Sequence, residues 1–131
     1  MGIELKGNTI LLIEDDELLG RMYEKRIQFA GGKVILALTG EEGLSKLERE
    51  KVDLVLLDLM MPKMNGYEVV RRMKTNPNTK NIPVNILTNL DAHPEYVKEA
   101  TGVEANEYLV KSNTSVEDVI EKIALHLGLK Q

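Results

Sequence analysis

Five short runs of apolar residues alternate along the chain with longer segments in which apolar residues recur at helical spacing. These runs occupy Thr9–Ile13, Val34–Leu38, Leu54–Leu57, Val84–Leu87 and Tyr108–Val110. Each run is nearly continuous in apolar content, which is typical of strands that helices cover on both faces. The pattern therefore predicts five parallel strands.

The segments between these strands carry helix signals. The first has an apolar stripe that ends before two glycines and is formed by Leu19, Met22, Tyr23, Ile27 and Ala30. Thr39 and Asn65 each stand three residues before a glutamate, a capping pattern that begins a helix. A fourth helix is predicted from about Pro94 to Gly102, and the last from about Thr114 to Gly128.

Five β-α units in this length predict an α/β protein with a doubly wound parallel sheet, because crossover connections are right-handed and leave few other arrangements. The length of 131 residues fits one domain. We expect that domain over residues 9–128, with 1–8 as a flexible lead-in and 129–131 as a tail.

Composition and net charge argue against several classes of protein function. The chain has 43% hydrophobic and 29% charged residues, which is typical of an ordinary globular protein. Its net charge of −4 argues mildly against direct binding to nucleic acid. The absence of cysteine excludes disulfides and thiolate metal sites. No long apolar stretch or cleavable leader is present, so we expect no membrane association and a cytoplasmic location.

Carboxylates follow two of the predicted strands. Glu14 and Asp15 come directly after the first strand, and Asp58 comes directly after the third. If these strands are neighbours, their acids meet at one edge of the sheet, where open α/β sheets bind ligands. Clustered like charges are unfavourable unless a cation or shared protons offset them, and we expect a hard divalent ion. Without nearby histidine or cysteine the preferred ion is Mg²⁺, with Mn²⁺ as a substitute.

The fourth and fifth strands deliver two further groups to the same edge. Thr88 provides a hydroxyl donor, and Lys111 provides a positive charge on a flexible stem. Both groups bind phosphoryl oxygens, and together with the cation they would neutralise a phosphoryl group at Asp58. Asp58 is therefore predicted to be a covalent nucleophile in phosphoryl transfer.

From Thr9 to Leu127 the chain resembles the receiver domain of two-component response regulators. The matching residues, in order, are Ile13-Glu14-Asp15-Asp16, Asp58, Met61-Pro62, Asn65-Gly66, Thr88, Tyr108 and Lys111. The resemblance implies a flavodoxin-like (βα)5 fold with strand order 2-1-3-4-5. It also implies that a histidine kinase or phosphotransfer protein phosphorylates Asp58.

Further roles follow from the same resemblance. Mg²⁺ would be bound by Asp15, Asp58 and the backbone carbonyl of Met60, with Glu14 assisting through water. Thr88 and Tyr108 would be the switch residues. Phosphorylation would change the surface formed by the fourth helix, the fifth strand and the last helix, and an unidentified downstream protein would bind there. We expect a stand-alone signalling module that is not an enzyme.

Some features depart from the family or leave alternatives open. Asn89 and Ser112 stand where the family has a small residue and a proline, which leaves open a scaffold that is regulated without phosphate. A small aspartyl-phosphate phosphatase is disfavoured, because its second acid would fall at Met60. Asn85 is a polar residue inside an apolar strand. The last helix has few basic residues beyond Lys122 for paired dimers, so we expect a monomer before phosphorylation.

Overall fold

In the computed structural model of the chain, residues 2–59, 61, 64, 66–89, 99 and 108–129 are described. The strands are β1 (Thr9–Ile13), β2 (Lys33–Ala37), β3 (Leu54–Leu57), β4 (Val84–Thr88) and β5 (Tyr108–Val110). The helices are α1 (Glu17–Phe29), α2 (Gly40–Arg49), α3 (Gly66–Thr75) and the C-terminal helix (Val116–His126). A short 3-10 turn, Lys111–Asn113, follows β5. The helix predicted from Pro94 to Gly102 lies outside the described residues, apart from Glu99.

All five predicted strands are confirmed, although β2 begins and ends one residue earlier than expected and β4 ends one residue later. They form one parallel sheet in the order β2-β1-β3-β4-β5. This confirms the predicted doubly wound, flavodoxin-like fold. In the register of β1 and β3, Ile13 pairs with Leu57, so the residues after these two strands leave the sheet side by side.

The core consists of two apolar layers, one on each face of the sheet. The α2–α3 core includes Ile13, Leu57, Val69, Met73 and Ile86. The α1 core, on the other face, includes Leu12, Tyr23, Ile27, Val119 and Ile123. Each fully buried side chain of this size contributes about 1.5–3 kcal/mol. The two layers explain why the strands are apolar throughout and do not alternate.

Capping groups determine where α1 and α2 begin. The Asp16 side chain accepts a hydrogen bond from the Leu19 N–H at 3.2 Å and thereby caps the start of α1. Thr39 accepts from the Glu42 N–H at 3.0 Å, as expected of a capping box. The Glu42 carboxylate, however, accepts from the Leu38 N–H at 2.7 Å, so the return bond of the box goes one residue further back.

The C-terminal helix, predicted from about Thr114, begins at Val116. Ser115 caps it: the Ser115 hydroxyl accepts from the Asp118 N–H at 3.1 Å, and the Asp118 carboxylate accepts from the Ser115 N–H at 3.3 Å. At the other end, Gly128 has a positive φ of 77° and ends the helix as predicted. In the described part of the chain, no helix has the length and apolar content needed to cross a membrane.

Two further segments differ from expectation. Met22, predicted to lie on the core stripe of α1, is 38% exposed, whereas Tyr23 beside it is buried. Leu5, in the segment predicted to be a flexible lead-in, is fully buried, and its N–H donates to the Ala30 carbonyl at 2.7 Å. The packed core therefore includes part of that lead-in.

Candidate functional site

Three carboxylates meet at the carboxyl edge of β1 and β3. Because Ile13 pairs with Leu57, Glu14 and Asp58 follow adjacent strand ends, and the Asp58 N–H donates to the Ile13 carbonyl at 3.1 Å. Oxygen atoms of Glu14, Asp15 and Asp58 all lie within 4.8 Å of one another. Glu14 and Asp58 are buried and Asp15 is exposed, so this acidic cluster opens to solvent on the Asp15 side.

Lys111 bridges the two buried members of the acidic cluster. It lies in the 3-10 turn that follows β5, and its Nζ is 2.6 Å from Glu14 Oε1 and 3.2 Å from Asp58 Oδ2. The side chain of Lys111 is only 11% exposed. The ammonium group of Lys111 thus joins Asp58 and Glu14, which lie 53 and 97 positions before it in the sequence.

Burial and the neighbouring charges act in opposite directions on this site. Burial is the main cause that raises the pKa of Glu14 to about 7. The hydrogen bond from Lys111 lowers this pKa but does not cancel the effect of burial. Burial lowers the pKa of Lys111, but its hydrogen bond to Glu14 and the charges of Glu14 and Asp58 outweigh burial and raise that pKa overall. Lys111 therefore stays charged, whereas Glu14 keeps its proton to a higher pH than an ordinary glutamate does.

The donor atoms of the acidic cluster suit a hard divalent ion. Glu14, Asp15 and Asp58 each offer a carboxylate oxygen, which is the kind of ligand that Mg²⁺ prefers. A cation among them would also offset the repulsion between acids that burial intensifies. The carbonyl of Met60, predicted as a further ligand, lies outside the described residues.

The two predicted switch residues occupy neighbouring strands. Thr88 is the last residue of β4 and is fully buried, and it pairs with Val110, which precedes Lys111. Ile86 pairs with Leu57 on one side and with Tyr108 on the other. The half-buried ring of Tyr108 packs against the α2–α3 core. Both residues have the strand positions that the sequence predicts, and their switching roles stay predictions.

Gly66 has a role that inspection of the sequence missed. Its N–H donates to the Leu59 carbonyl at 3.0 Å, and a Cβ atom at this position would stand 2.6 Å from the Asp58 carbonyl oxygen and 2.7 Å from Leu59 Cα. A side chain here would push the start of α3 away from the backbone of Asp58. The sequence signal was a glycine at the first position of a helix. Glycine has a low helix propensity, so its presence there indicates that close packing excludes a side chain.

An exposed apolar residue beside the acidic cluster was also missed. Leu18 lies in the first turn of α1, three residues after Asp15, and is 84% exposed. Phe29, at the far end of the same helix, is 91% exposed. Leu18 lies outside the buried stripe of α1, and its position next to predicted site residues was the available signal.

Known proteins resemble this chain in sequence over most of its length. The family model described as "Response regulator receiver domain" matches residues 10–124. The transcriptional regulatory protein YkoG of Bacillus subtilis is 36% identical over 121 residues, which are 90% of this chain and 50% of YkoG. The chain thus spans about half the length of this curated relative.

Solved structures are similar over nearly the whole chain. A CheY-like response regulator receiver domain protein from Methanospirillum hungatei has a TM-score of 0.80 and 25% identity, covering 93% of this chain and 94% of that one. The response regulator TrrA from Thermotoga maritima, solved in complex with Mg²⁺-BeF, has a TM-score of 0.77 and 26% identity, covering 91% and 98%.

Proposed function

Because this chain belongs to the response regulator receiver domain family, we propose that Asp58 accepts a phosphoryl group and that this modification switches the binding of a partner protein. The observation that carries the proposal is Lys111, whose ammonium group contacts both Glu14 and Asp58 inside an acidic cluster that suits Mg²⁺. The domain that carries this activity is proposed to span residues 9–128.

The residues of the site supply what phosphoryl transfer requires. A carboxylate oxygen of Asp58 attacks the phosphorus atom, and the bond from phosphorus to the donor breaks, with its electron pair leaving on the donor. Lys111 gives up part of its contact with Glu14 and Asp58 to bind an oxygen of the incoming group. Bound Mg²⁺, held by the acidic cluster, would supply further charge neutralisation.

The donor is proposed to be a phosphorylated histidine of a sensor kinase or phosphotransfer protein in the cytoplasm. The modification adds negative charge and acceptor oxygens at the edge where β4 ends at Thr88. Drawing the Thr88 hydroxyl toward these oxygens would free space into which the Tyr108 ring turns. The resulting population shift would be read by a downstream protein on the face that includes β5 and the C-terminal helix.

A single reaction separates this proposal from its two rivals. The chain is incubated with acetyl phosphate and Mg²⁺, and intact mass and free phosphate are both followed. We expect a mass increase of one phosphoryl group that is absent when a chelator replaces Mg²⁺. Release of phosphate over many rapid turnovers would instead indicate a phosphatase. An unchanged mass with every phosphodonor tried would indicate a scaffold that works without phosphate.

We expect Leu18 to be an anchor for the protein phosphodonor. An exposed apolar side chain beside a buried acceptor is where a donor protein must dock, and the loss of one anchor costs roughly tenfold or more in binding. Leu18→Ser should therefore slow transfer from a phosphorylated kinase or phosphotransfer protein that labels the parent chain. It should leave labelling by acetyl phosphate unchanged, because that donor needs no docking surface.

Phe29→Ser is the matched control, since it removes an equally exposed apolar residue from the same helix at the end away from the acidic cluster. Its transfer rates should equal those of the parent with both donors. Equal slowing of both donors by Leu18→Ser, or equal slowing by the two variants, would contradict the docking role.

Self-association is expected to be weak. The C-terminal helix exposes Asp118 and Glu121, while Glu117 pairs with Arg26, so packing this helix against its copy would oppose like charges. Sedimentation velocity should show a monomer without phosphodonor and at most weak dimerisation after phosphorylation. A tight dimer of the unphosphorylated chain would overturn this prediction.

A further inference from the structure

Asn85 is a buried polar residue whose side chain receives no hydrogen bond from the part of the chain that the structure describes. It lies in the middle of β4, pairs with Leu56 in the sheet and is fully buried. Among the described residues, neither its side-chain nitrogen nor its side-chain oxygen has a hydrogen-bond partner. A buried amide in this condition destabilises the folded state, because it has lost its bonds to water and gained none.

The position of Asn85 shows which contact it weakens. Side chains alternate between the faces of a strand, and both Val84 and Ile86 belong to the α2–α3 core. Asn85 therefore points to the opposite face with Leu87, which belongs to the α1 core together with Val119 and Ile123 of the C-terminal helix. The amide lies on the face of β4 that this helix covers.

We propose that Asn85 weakens the packing of the C-terminal helix on the sheet, so that this helix changes position at low free-energy cost when Asp58 is phosphorylated. The switching part of this inference rests on the proposed function. A receiver responds strongly only if its two states differ little in free energy, and an uncompensated amide reduces the stability of the packed state. Thr88 lies three residues further along β4, so the amide and the proposed switch hydroxyl belong to the same strand but lie on opposite faces of it.

Replacement of the amide by an apolar side chain tests the weakening directly. Asn85→Leu preserves the approximate shape, and Asn85→Val suits a strand, so the test does not depend on the fit of one side chain. We expect the better of the two to raise the midpoint of thermal unfolding by roughly 3–10 °C. It should also slow amide hydrogen exchange in Val116–His126 at least fivefold relative to exchange in α2.

Ile86→Val is the matched control, because it changes an adjacent residue of β4 on the opposite face and is expected to lower the midpoint. If both Asn85 variants unfold at or below the midpoint of the parent, the amide is not destabilising and the proposal is overturned. It is also overturned if they gain stability without slower exchange in the C-terminal helix.

The switching part has its own measurement. In the parent, acetyl phosphate and Mg²⁺ should alter hydrogen exchange in the C-terminal helix, and in the stabilised variant the change should be at least halved while the extent of Asp58 labelling stays the same. An undiminished response would refute the switching role. If the parent is not labelled, the proposed function fails and the switching role fails with it. The exchange rates without phosphodonor then still decide whether Asn85 weakens the helix.

Discussion

Asp58→Asn is expected to abolish labelling by acetyl phosphate while leaving the fold intact. The asparagine amide has the shape of the carboxylate but lacks the negatively charged oxygen that attacks phosphorus. Asp58 is buried beside Glu14, so removal of its charge also relieves repulsion within the acidic cluster. The variant should therefore unfold at the same temperature as the parent or higher, and its intact mass after incubation should be unchanged.

Asp16→Asn provides a close control for this experiment. Asp16 follows directly after the acidic cluster and caps α1 through the Leu19 N–H, and asparagine caps helices equally well. We expect this variant to fold and to be labelled like the parent. Labelling that persists in Asp58→Asn, or that disappears in Asp16→Asn, would contradict the assignment of the acceptor.

Asp15→Asn is expected to weaken Mg²⁺ binding by roughly 10–100-fold, because it would replace a proposed carboxylate ligand with a neutral oxygen. Asp15 is the exposed member of the acidic cluster, so the substitution buries no new polar group and should not affect folding. A calorimetric Mg²⁺ titration measures the affinity. Labelling by acetyl phosphate should be slow at low Mg²⁺ and recover as the concentration rises.

Glu17→Gln is the control for charge in this region. Glu17 is an exposed acid in the first turn of α1, where it pairs with Arg21 at 3.5 Å and lies outside the acidic cluster. Its loss changes the net charge by the same amount as Asp15→Asn, but it should leave Mg²⁺ affinity near that of the parent. Equal affinities in the Asp15 variant and the parent would exclude Asp15 as a ligand.

The strands and the acidic cluster were predictable because both depend on local order. Continuous apolar runs indicate strands buried on two faces, and the ends of neighbouring parallel strands must share an edge of the sheet. The sequence alone therefore places Glu14, Asp15 and Asp58 together. The positions of Thr88 and Lys111 at strand ends followed from the same rule.

Features that depend on tertiary contacts were not predictable in this way. Thr114 and Ser115 both precede an acid by three residues, so two capping frames overlapped, and only the geometry of the chain shows that Ser115 is used. Leu5 looks like part of a polar lead-in until its contact with the end of α1 is seen. The contacts of Lys111 with both Glu14 and Asp58 depend on where the three side chains lie in space. The spacing of these residues in the sequence does not give those positions.

The close approach of Gly66 to the backbone of Asp58 is another feature that depends on tertiary contacts. A glycine after a proline-containing loop predicts a break in structure, but it does not say which atoms come near it. Only because α3 packs against the end of β3 would a Cβ atom at this glycine stand 2.6 Å from the Asp58 carbonyl oxygen. The absence of a side chain at this glycine therefore lets the start of α3 lie against the backbone of Asp58 and Leu59.

Chemical identification of the modified residue tests whether Asp58 itself carries the phosphoryl group. Borohydride reduces an aspartyl phosphate to homoserine, which tandem mass spectrometry of peptides can place in the sequence. After treatment with acetyl phosphate and Mg²⁺, we expect conversion of Asp58 to homoserine, and no conversion when Mg²⁺ is withheld. Homoserine at Asp15 instead, 5-hydroxynorvaline at Glu14 instead, or an unmodified Asp58 under both conditions would contradict this assignment.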